Sequence, residues 1–117
     1  MKVQVPAHVA MADVLEEAAG YIQAGWTQGR PFEDVEGQLY VCTNGALWLA
    51  AGLIREEGTF TNFNFSALEL WTKTRHALSD HVGQDSVGWN DSIGQTRDHV
   101  ADTMLQLAKE LRGAETP

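Results

Sequence analysis

The stretch CTNGALWLAAGLIREEG, residues 42–58, decides the predicted fold. A helix over this stretch is apolar nearly all round as far as Arg55, and a helix of that kind lies at the centre of a packed domain. Gly45 and Gly52 are seven residues apart and lie on nearly the same side, so they predict close approach of a neighbouring backbone. The predicted caps are Thr43 or Asn44 at the start and Gly58 at the end.

A first helix is predicted over residues 9–24, because apolar residues recur there at the spacing of one helical face. Gly25 follows the last of these residues and stands where a left-handed C-terminal cap is expected. Trp26 is then expected to fold back against the helix as the hydrophobic contact that accompanies such caps.

Two later helices are predicted from their caps. The segment SALE at residues 66–69 is a capping box, and its helix continues to His81 or Val82. The last helix begins near Thr96 and stops at Gly113. Its predicted inner residues are Val100, Met104, Leu107, Ala108 and Leu111.

These segments predict a mainly α fold, a compact bundle of about four helices, in which the first and last helices flank the second. Residues 30–38 are predicted as a loop. The strand-like segment QLYVC at residues 38–42 can pair with TFTNFNF at residues 59–65 as a short two-stranded hairpin. The predicted organisation is an N-terminal arm at 1–8, a single helical domain at 9–112 and a disordered tail at 113–117.

Composition restricts the possible partners and the compartment. The chain has 117 residues and a net charge of −8, which opposes direct contact with a nucleic-acid backbone and suits a basic protein partner. The single Cys42 excludes an internal disulfide and every multi-cysteine zinc motif. The N-terminus does not resemble a secretory signal, and no apolar run is long enough for a membrane span. We therefore expect a cytoplasmic protein that does not bind membranes.

Cys42 is the strongest enzymatic candidate in the sequence. It precedes a predicted helix, where a helix N-terminus lowers the pKa of a thiol, and His76, His81 or His99 could act as its base. The alternative interpretation is that Cys42 is a small buried apolar residue.

Two pairs of residues have the i, i+4 spacing that places potential metal ligands on one helix face. They are His76 with Asp80 and Asp98 with Asp102. Such pairs are far more often part of a solvated surface, so we predict no metal site. No phosphate-binding or dinucleotide-binding motif is present, and no cofactor is predicted.

The segment SVGWNDSIGQT, residues 86–96, is expected to be a loop between two helices. Trp89 is expected to tuck beneath this loop, while Asn90 or Asp91 bonds the backbone two or three residues further on and fastens it. The alternative is a binding site, because a tryptophan beside acidic residues on a loop is typical of an interaction hot spot. In that case the Trp26 and Trp89 loops form one surface.

Three segments, GWTQG at 25–29, CTNGALWLA at 42–50 and WNDSIGQTRDHVADTM at 89–104, resemble a family of unknown function found in small proteins from actinobacteria and their phages. The resemblance covers residues 14–111 and implies such an origin, but it implies no activity. In the family an aromatic-cysteine pair precedes a small or apolar residue and glycine, whereas here Val41 precedes the cysteine and Thr43 follows it. The positions that match are Trp26, Cys42, Gly45, Ala46, Leu47, Trp89, Asn90, Asp91 and Thr96.

Together these features favour a small noncatalytic phage-encoded or accessory protein that binds a host protein or a copy of itself in the host cytoplasm. The predicted binding residues are Trp26, Trp89, Asn90 and Asp91. The alternative function is a cysteine-dependent hydrolase or transferase that uses Cys42 with a histidine.

Overall fold

The computed structural model describes residues 6–53 and 65–113, which form five helices and one two-stranded antiparallel sheet. The mainly α prediction is therefore confirmed, with one more helix than the four expected. Within the described ranges, no helix combines the length and the apolar character needed to cross a membrane. The elements are α1 (Ala7–Ala24), β1 (Phe32–Val35), β2 (Gln38–Val41), α2 (Thr43–Ala50), α3 (Phe65–Val82), α4 (Ser86–Asn90) and α5 (Arg97–Gly113).

The first helix, and not the second, is the centre of the packing. α1 packs against α5 and also contacts α2 and α3, so the prediction that the first and last helices flank the second is wrong. The physical reason is that the buried faces of α1 and α5 contain several alanines, and these small side chains let the two helices approach closely. The buried residues are Ala12, Val14, Leu15, Ala18, Ala19 and Ile22 on α1, and Val100, Ala101, Met104, Leu107 and Ala108 on α5.

α2 is much shorter than predicted. It ends at Ala50, and Gly52 has a φ of 94°, which is the left-handed conformation that ends helices. The Leu53 N–H donates to the Trp48 carbonyl oxygen at 3.2 Å and completes this cap. Gly52 is therefore a terminating residue and not the packing residue that the sequence predicts. The predicted end at Gly58 lies outside the described residues.

The hairpin is present, but β2 pairs with a different partner from the one predicted. Phe32 of β1 lies opposite Val41 of β2, so the strand β1 falls within a segment that the sequence predicts as a loop. Glu36 and Gly37 both have positive φ, 50° and 82°, as a two-residue hairpin turn requires. A glutamate with positive φ is uncommon, so the sequence does not predict a turn at this position. The predicted partner strand, 59–65, lies outside the described residues except for Phe65, which begins α3.

Gly25 does not adopt the predicted left-handed cap, because its φ of −174° is extended. It is a glycine because a Cβ there would lie 2.7 Å from the Leu39 carbonyl oxygen and 3.1 Å from the Tyr40 ring. The Val41 N–H donates to the Gly25 carbonyl oxygen and the Thr27 N–H donates to the Val41 carbonyl oxygen, both at 2.9 Å. The chain leaving α1 therefore runs beside β2, which directs residues 26–31 toward α4.

The remaining helix ends follow the predictions closely. α3 begins at Phe65, so Ser66 lies inside the helix and not before it as the predicted capping box requires, whereas the end at Val82 is as predicted. The Thr96 hydroxyl accepts a hydrogen bond from the His99 N–H at 3.1 Å, which confirms Thr96 as the cap of α5. The predicted tail beyond residue 113 lies outside the described residues, and the domain boundaries stay predictions.

Arg112 joins the end of α5 to the beginning of α1. Its guanidinium contacts Asp13 Oδ1 at 2.5 Å and Glu16 Oε1 at 2.6 Å, and its Nε donates to Glu16 Oε2 at 3.0 Å. The hydrogen bonds from Arg112 lower the pKa of Glu16 below its ordinary value of 4.5. The pair therefore adds stability while Glu16 is ionised.

Glu16→Gln is expected to lower the free energy of unfolding at about pH 7, and this effect is expected to shrink as the pH falls below the ordinary glutamate pKa of 4.5. Because the pKa of Glu16 is lowered on folding, its contribution is complete above the ordinary value of 4.5 and is lost as the pH falls through the folded-state pKa. Urea titrations at several pH values measure this difference. Glu17→Gln, at an exposed position on the same helix, removes the same charge from a carboxylate that is not among those Arg112 contacts, and it is the matched control. Equal effects of the two substitutions at every pH would contradict the prediction.

Candidate functional site

The side chain of Asn90 lies at the centre of the candidate site and is fully buried, with 0% exposure. Its Oδ1 accepts hydrogen bonds from Trp26 Nε1 at 2.9 Å, the Thr43 N–H at 2.9 Å and the Thr43 hydroxyl at 2.8 Å. Its Nδ2 donates to the Thr27 carbonyl oxygen at 3.1 Å and to Asp91 Oδ1 at 2.9 Å. One amide thus joins the end of α4 to the start of α2 and to the chain after α1.

α4 positions this amide, although the sequence predicts a loop there. Asp85 Oδ2 accepts a hydrogen bond from the Gly88 N–H at 3.3 Å and caps the single turn. The Ser86 hydroxyl donates to Asn44 Oδ1 at 2.8 Å, which fixes the turn against α2. Trp89 is consequently only 6% exposed and belongs to the hydrophobic core.

The turn at residues 26–31 is bonded directly to the segment that follows α4. Gln28 Nε2 donates to the Asn90 carbonyl oxygen at 3.0 Å and to the Ser92 carbonyl oxygen at 3.2 Å, and the Gly29 N–H donates to Asp91 Oδ1 at 3.0 Å. The Trp26 and Trp89 segments are therefore adjacent, as expected. The bonds cross between distant parts of the chain, however, and are not the local bonds to the backbone two or three residues on that the sequence predicts.

Beyond Asp91 the chain makes a turn that presents Ile93 to solvent. The Ile93 side chain is fully exposed, although both ends of the turn are held. The Gln95 N–H donates to the Ser92 carbonyl oxygen at 3.1 Å, and Gln95 Nε2 donates to the Trp89 carbonyl oxygen at 2.9 Å. Sequence reasoning missed Ile93. The available signal was its place between a serine and a glycine in a turn, where an apolar side chain has no helical face to join.

Two cavities lie beside this segment. The larger is open, has a volume of about 630 Å³ and is lined by residues that include Trp26, Gln38, Tyr40, Gln95, Thr96 and Arg97. The smaller is more enclosed and mainly apolar, has a volume of about 230 Å³ and is lined by residues that include Pro31, Cys42, Asn44, Trp71, Val87 and Asp91.

Cys42 lies in the wall of the smaller cavity and is 6% exposed. It caps α2, since its Sγ accepts a hydrogen bond from the Gly45 N–H at 3.5 Å. Burial raises the pKa of the Cys42 thiol and outweighs the lowering by the amides of Gly45 and Asn44. The helix N-terminus lowers this pKa as predicted, but desolvation is the larger effect, so the net shift of the pKa is upward.

The three candidate histidines are not brought to the thiol. His76 and His99 are exposed, and the His99 ring lies 6.1 Å from the Trp89 ring. His81 Nδ1 is 3.9 Å from Glu110 Oε2. Within residues 6–53 and 65–113, no hydrogen bond or ion pair joins Cys42 to any of these three. Across the same ranges, no three His, Cys, Asp or Glu side chains come together as potential metal ligands.

Comparison with known protein families assigns the chain to a family. Residues 6–110 match DUF6197, a family of unknown function. The chain belongs to DUF6197. This confirms the resemblance to an uncharacterised family, while an origin in actinobacteria or their phages stays a prediction. No match was found among curated proteins or among solved structures.

The DUF6197 match includes the whole Asn90 network and both cavities, since all of their residues lie between positions 24 and 98. It also includes α1 and all but the last turn of α5. The fold and the candidate site of this DUF6197 protein therefore fall within one matched region.

Alkylation of Cys42 by iodoacetamide at neutral pH is expected to be at least about tenfold slower in the folded protein than in concentrated guanidinium chloride. Burial limits access of the reagent and raises the pKa of the thiol, so little reactive thiolate is present. Mass spectrometry at timed intervals measures both rates. Faster reaction of the folded protein would contradict this prediction and would favour a cysteine-dependent enzyme.

Proposed function

We propose that this DUF6197 protein acts by binding another protein, without catalysis, through a surface that we call the Ile93 face. It consists of the exposed side chains of Val87, Asp91 and Ile93 on α4 and the turn that follows. The observation that carries the proposal is the full exposure of Ile93 on a turn with fixed ends. Burial of such a side chain in a complex contributes about 1.5–3 kcal/mol.

The Asn90 network supports this proposal because it holds the Ile93 face in place before a partner arrives. A surface that is already ordered loses little conformational entropy on binding. Trp26, Trp89 and Asn90 then have a supporting role beneath the face, while Asp91 supplies a polar group beside the apolar ones. Of the predicted binding residues, Asp91 is the exposed one, Trp26 is half-buried, and Trp89 and Asn90 are buried.

The net charge of −8 favours a basic partner, because complementary charge speeds encounter. The partner that this charge favours is a basic host protein, whereas a second copy of the chain, which carries the same charge of −8, is the less favoured alternative. The resemblance to proteins of actinobacteria and their phages supports an accessory role in the host cytoplasm. The alternative, a cysteine-dependent hydrolase or transferase, has less support because Cys42 is buried and its pKa is raised.

Ile93→Asp is expected to weaken binding of the partner at least about tenfold, since it removes the apolar contact and adds a charge. The partner is captured from an actinobacterial lysate, purified and titrated by calorimetry against wild type and variant. Leu105→Asp, on the exposed side of α5, is the matched control and should bind as wild type does. Circular dichroism checks that both variants fold, and light scattering tests self-association.

Equal binding by Ile93→Asp and wild type would contradict the proposal. A Trp89→Ala variant is less informative, because truncation of this buried side chain leaves a cavity in the core and costs about 3–5 kcal/mol of stability. Ile93 is fully exposed and does not pack in the core, so its substitution can weaken binding without destabilising the fold.

A further inference from the structure

The smaller cavity, which we call the Trp71 pocket, borders the Ile93 face. Val87 and Asp91 belong to both, since each lines the pocket and each is exposed at the surface. Pro31, Cys42 and Trp71 contribute mainly apolar surface to the pocket wall. A partner that covers the Ile93 face therefore also covers the entrance to an apolar pocket.

The walls of the Trp71 pocket are held by contacts among its lining residues and with the residues behind them. Trp71 Nε1 donates to the Asn44 carbonyl oxygen at 3.1 Å, and its ring meets the Trp48 ring edge to face at 4.9 Å. The Arg75 guanidinium carbon lies 4.4 Å from the centre of the Trp71 ring. Asp91 is fixed by the Gly29 N–H. The pocket is consequently formed before anything enters it.

The volume of the Trp71 pocket indicates what kind of group can occupy it. A volume of about 230 Å³ is below the range of about 300–1,000 Å³ typical of small-molecule sites. It is comparable with one large apolar side chain. Protein interfaces concentrate their binding energy in anchors of this kind, which fill well-packed pockets near the centre of the contact.

We infer that the Trp71 pocket receives one aromatic or branched aliphatic side chain of a basic protein partner, and that a lysine or arginine next to this anchor pairs with Asp91. This inference rests on the proposed binding function. Arg30 also borders the pocket, but its side chain is exposed and long, whereas the Asp91 carboxylate is held in place. The net charge of −8 favours the basic partner at longer range.

Three acetylated dipeptide amides test this inference: Phe-Lys, Phe-Glu and Gly-Lys. Each is titrated into the full chain labelled with ¹⁵N, and amide and indole N–H shifts are followed by NMR. Phe-Lys is expected to shift the Trp71 indole N–H and the Gly29 and Asn44 amides, and to bind at least about tenfold more tightly than Gly-Lys because it alone buries the anchor. Phe-Glu is expected to bind more weakly than Phe-Lys.

Two variants with matched controls locate the site. Val87→Trp narrows the pocket and should abolish the Phe-Lys shifts, whereas Val35→Trp, exposed on β1, should not. Asp91→Asn keeps an acceptor for the Gly29 N–H but removes the charge, so it should reduce the preference for Phe-Lys over Phe-Glu to what the remaining net charge gives. Asp80→Asn, exposed on α3, should keep that preference.

Equal affinity for Phe-Lys and Gly-Lys, or Phe-Lys shifts that survive Val87→Trp, would overturn the inference. Its failure differs from failure of the proposed function. If Ile93→Asp weakens binding of the partner but the dipeptides cause no shifts at the Trp71 pocket, the proposed binding function stands and the inference about the pocket is wrong. If Ile93→Asp has no effect, the proposed function itself fails.

Discussion

Asn90→Ala is expected to lower the free energy of unfolding by about 3–5 kcal/mol. The substitution leaves the Trp26 indole N–H, the Thr43 N–H and the Thr27 carbonyl oxygen without their present partner, at a site where Asn90 is 0% exposed. Each buried polar group left unsatisfied costs about 1–3 kcal/mol. A loss of this size is a large part of the total stability of a small domain. Urea unfolding followed by circular dichroism measures it.

Gln95→Ala is the matched control for this prediction. It removes an amide from the same segment, but that amide makes only two of the described hydrogen bonds. Its Nε2 donates to the Trp89 carbonyl oxygen, and its Oε1 accepts from the Thr96 N–H at the surface. We expect a loss of about 1 kcal/mol. Similar losses for Asn90→Ala and Gln95→Ala would show that Asn90 is not the central fastening of the site.

Gly45→Ala is expected to destabilise the protein by about 3 kcal/mol, although alanine is the better helix former. A Cβ at this position would lie 2.1 Å from the Pro31 carbonyl oxygen and 3.2 Å from the Phe32 ring. The Pro31 carbonyl also accepts a hydrogen bond from the Cys42 N–H at 3.1 Å, so the backbone cannot move away without breaking it. The expected result is a lower urea midpoint and a disturbed Trp71 pocket.

Gly20→Ala makes the same chemical change in α1 and should have the opposite effect. Apart from the neighbouring backbone of α1 itself, no heavy atom of the described residues lies within 4 Å of a Cβ built on Gly20, so the substitution brings no clash there. The gain in helix propensity should raise the free energy of unfolding by about 0.5–1 kcal/mol. A gain for both glycines would mean that the contact between Gly45 and Pro31 does not restrict the backbone.

Helix positions were predictable where a local signal was strong. Thr96 caps α5 as its sequence predicts, and α3 ends at Val82, because capping residues and apolar periodicity act within a few residues. The exceptions are instructive. Gly52 is predicted to allow close packing but forms a left-handed turn, and Gly25 is predicted to form such a turn but allows close packing. A glycine permits both, and only the neighbouring chain decides between them.

The candidate site was only partly predictable from the sequence. The sequence identified Trp26, Trp89, Asn90 and Asp91 as one group of interest and predicted that their segments are adjacent. It did not reveal that Asn90 bonds Thr43, or that Cys42 and Trp71 share a cavity, because these residues are far apart in the chain. It also gave the wrong direction for the Cys42 pKa, since a local helix end was visible and the desolvation of the thiol was not.

The amino-acid sequence by itself determined the helical class, the capped ends of the later helices, the acidic charge and membership in a family of unknown function, since these depend on composition, local spacing and motif order. Only the tertiary structure decided that α1 is central, that β1 pairs with β2, and that Asn90 fastens a surface which leaves Ile93 in solvent. Burial and long-range hydrogen bonds produce these features, and both depend on segments that meet only after the chain has folded.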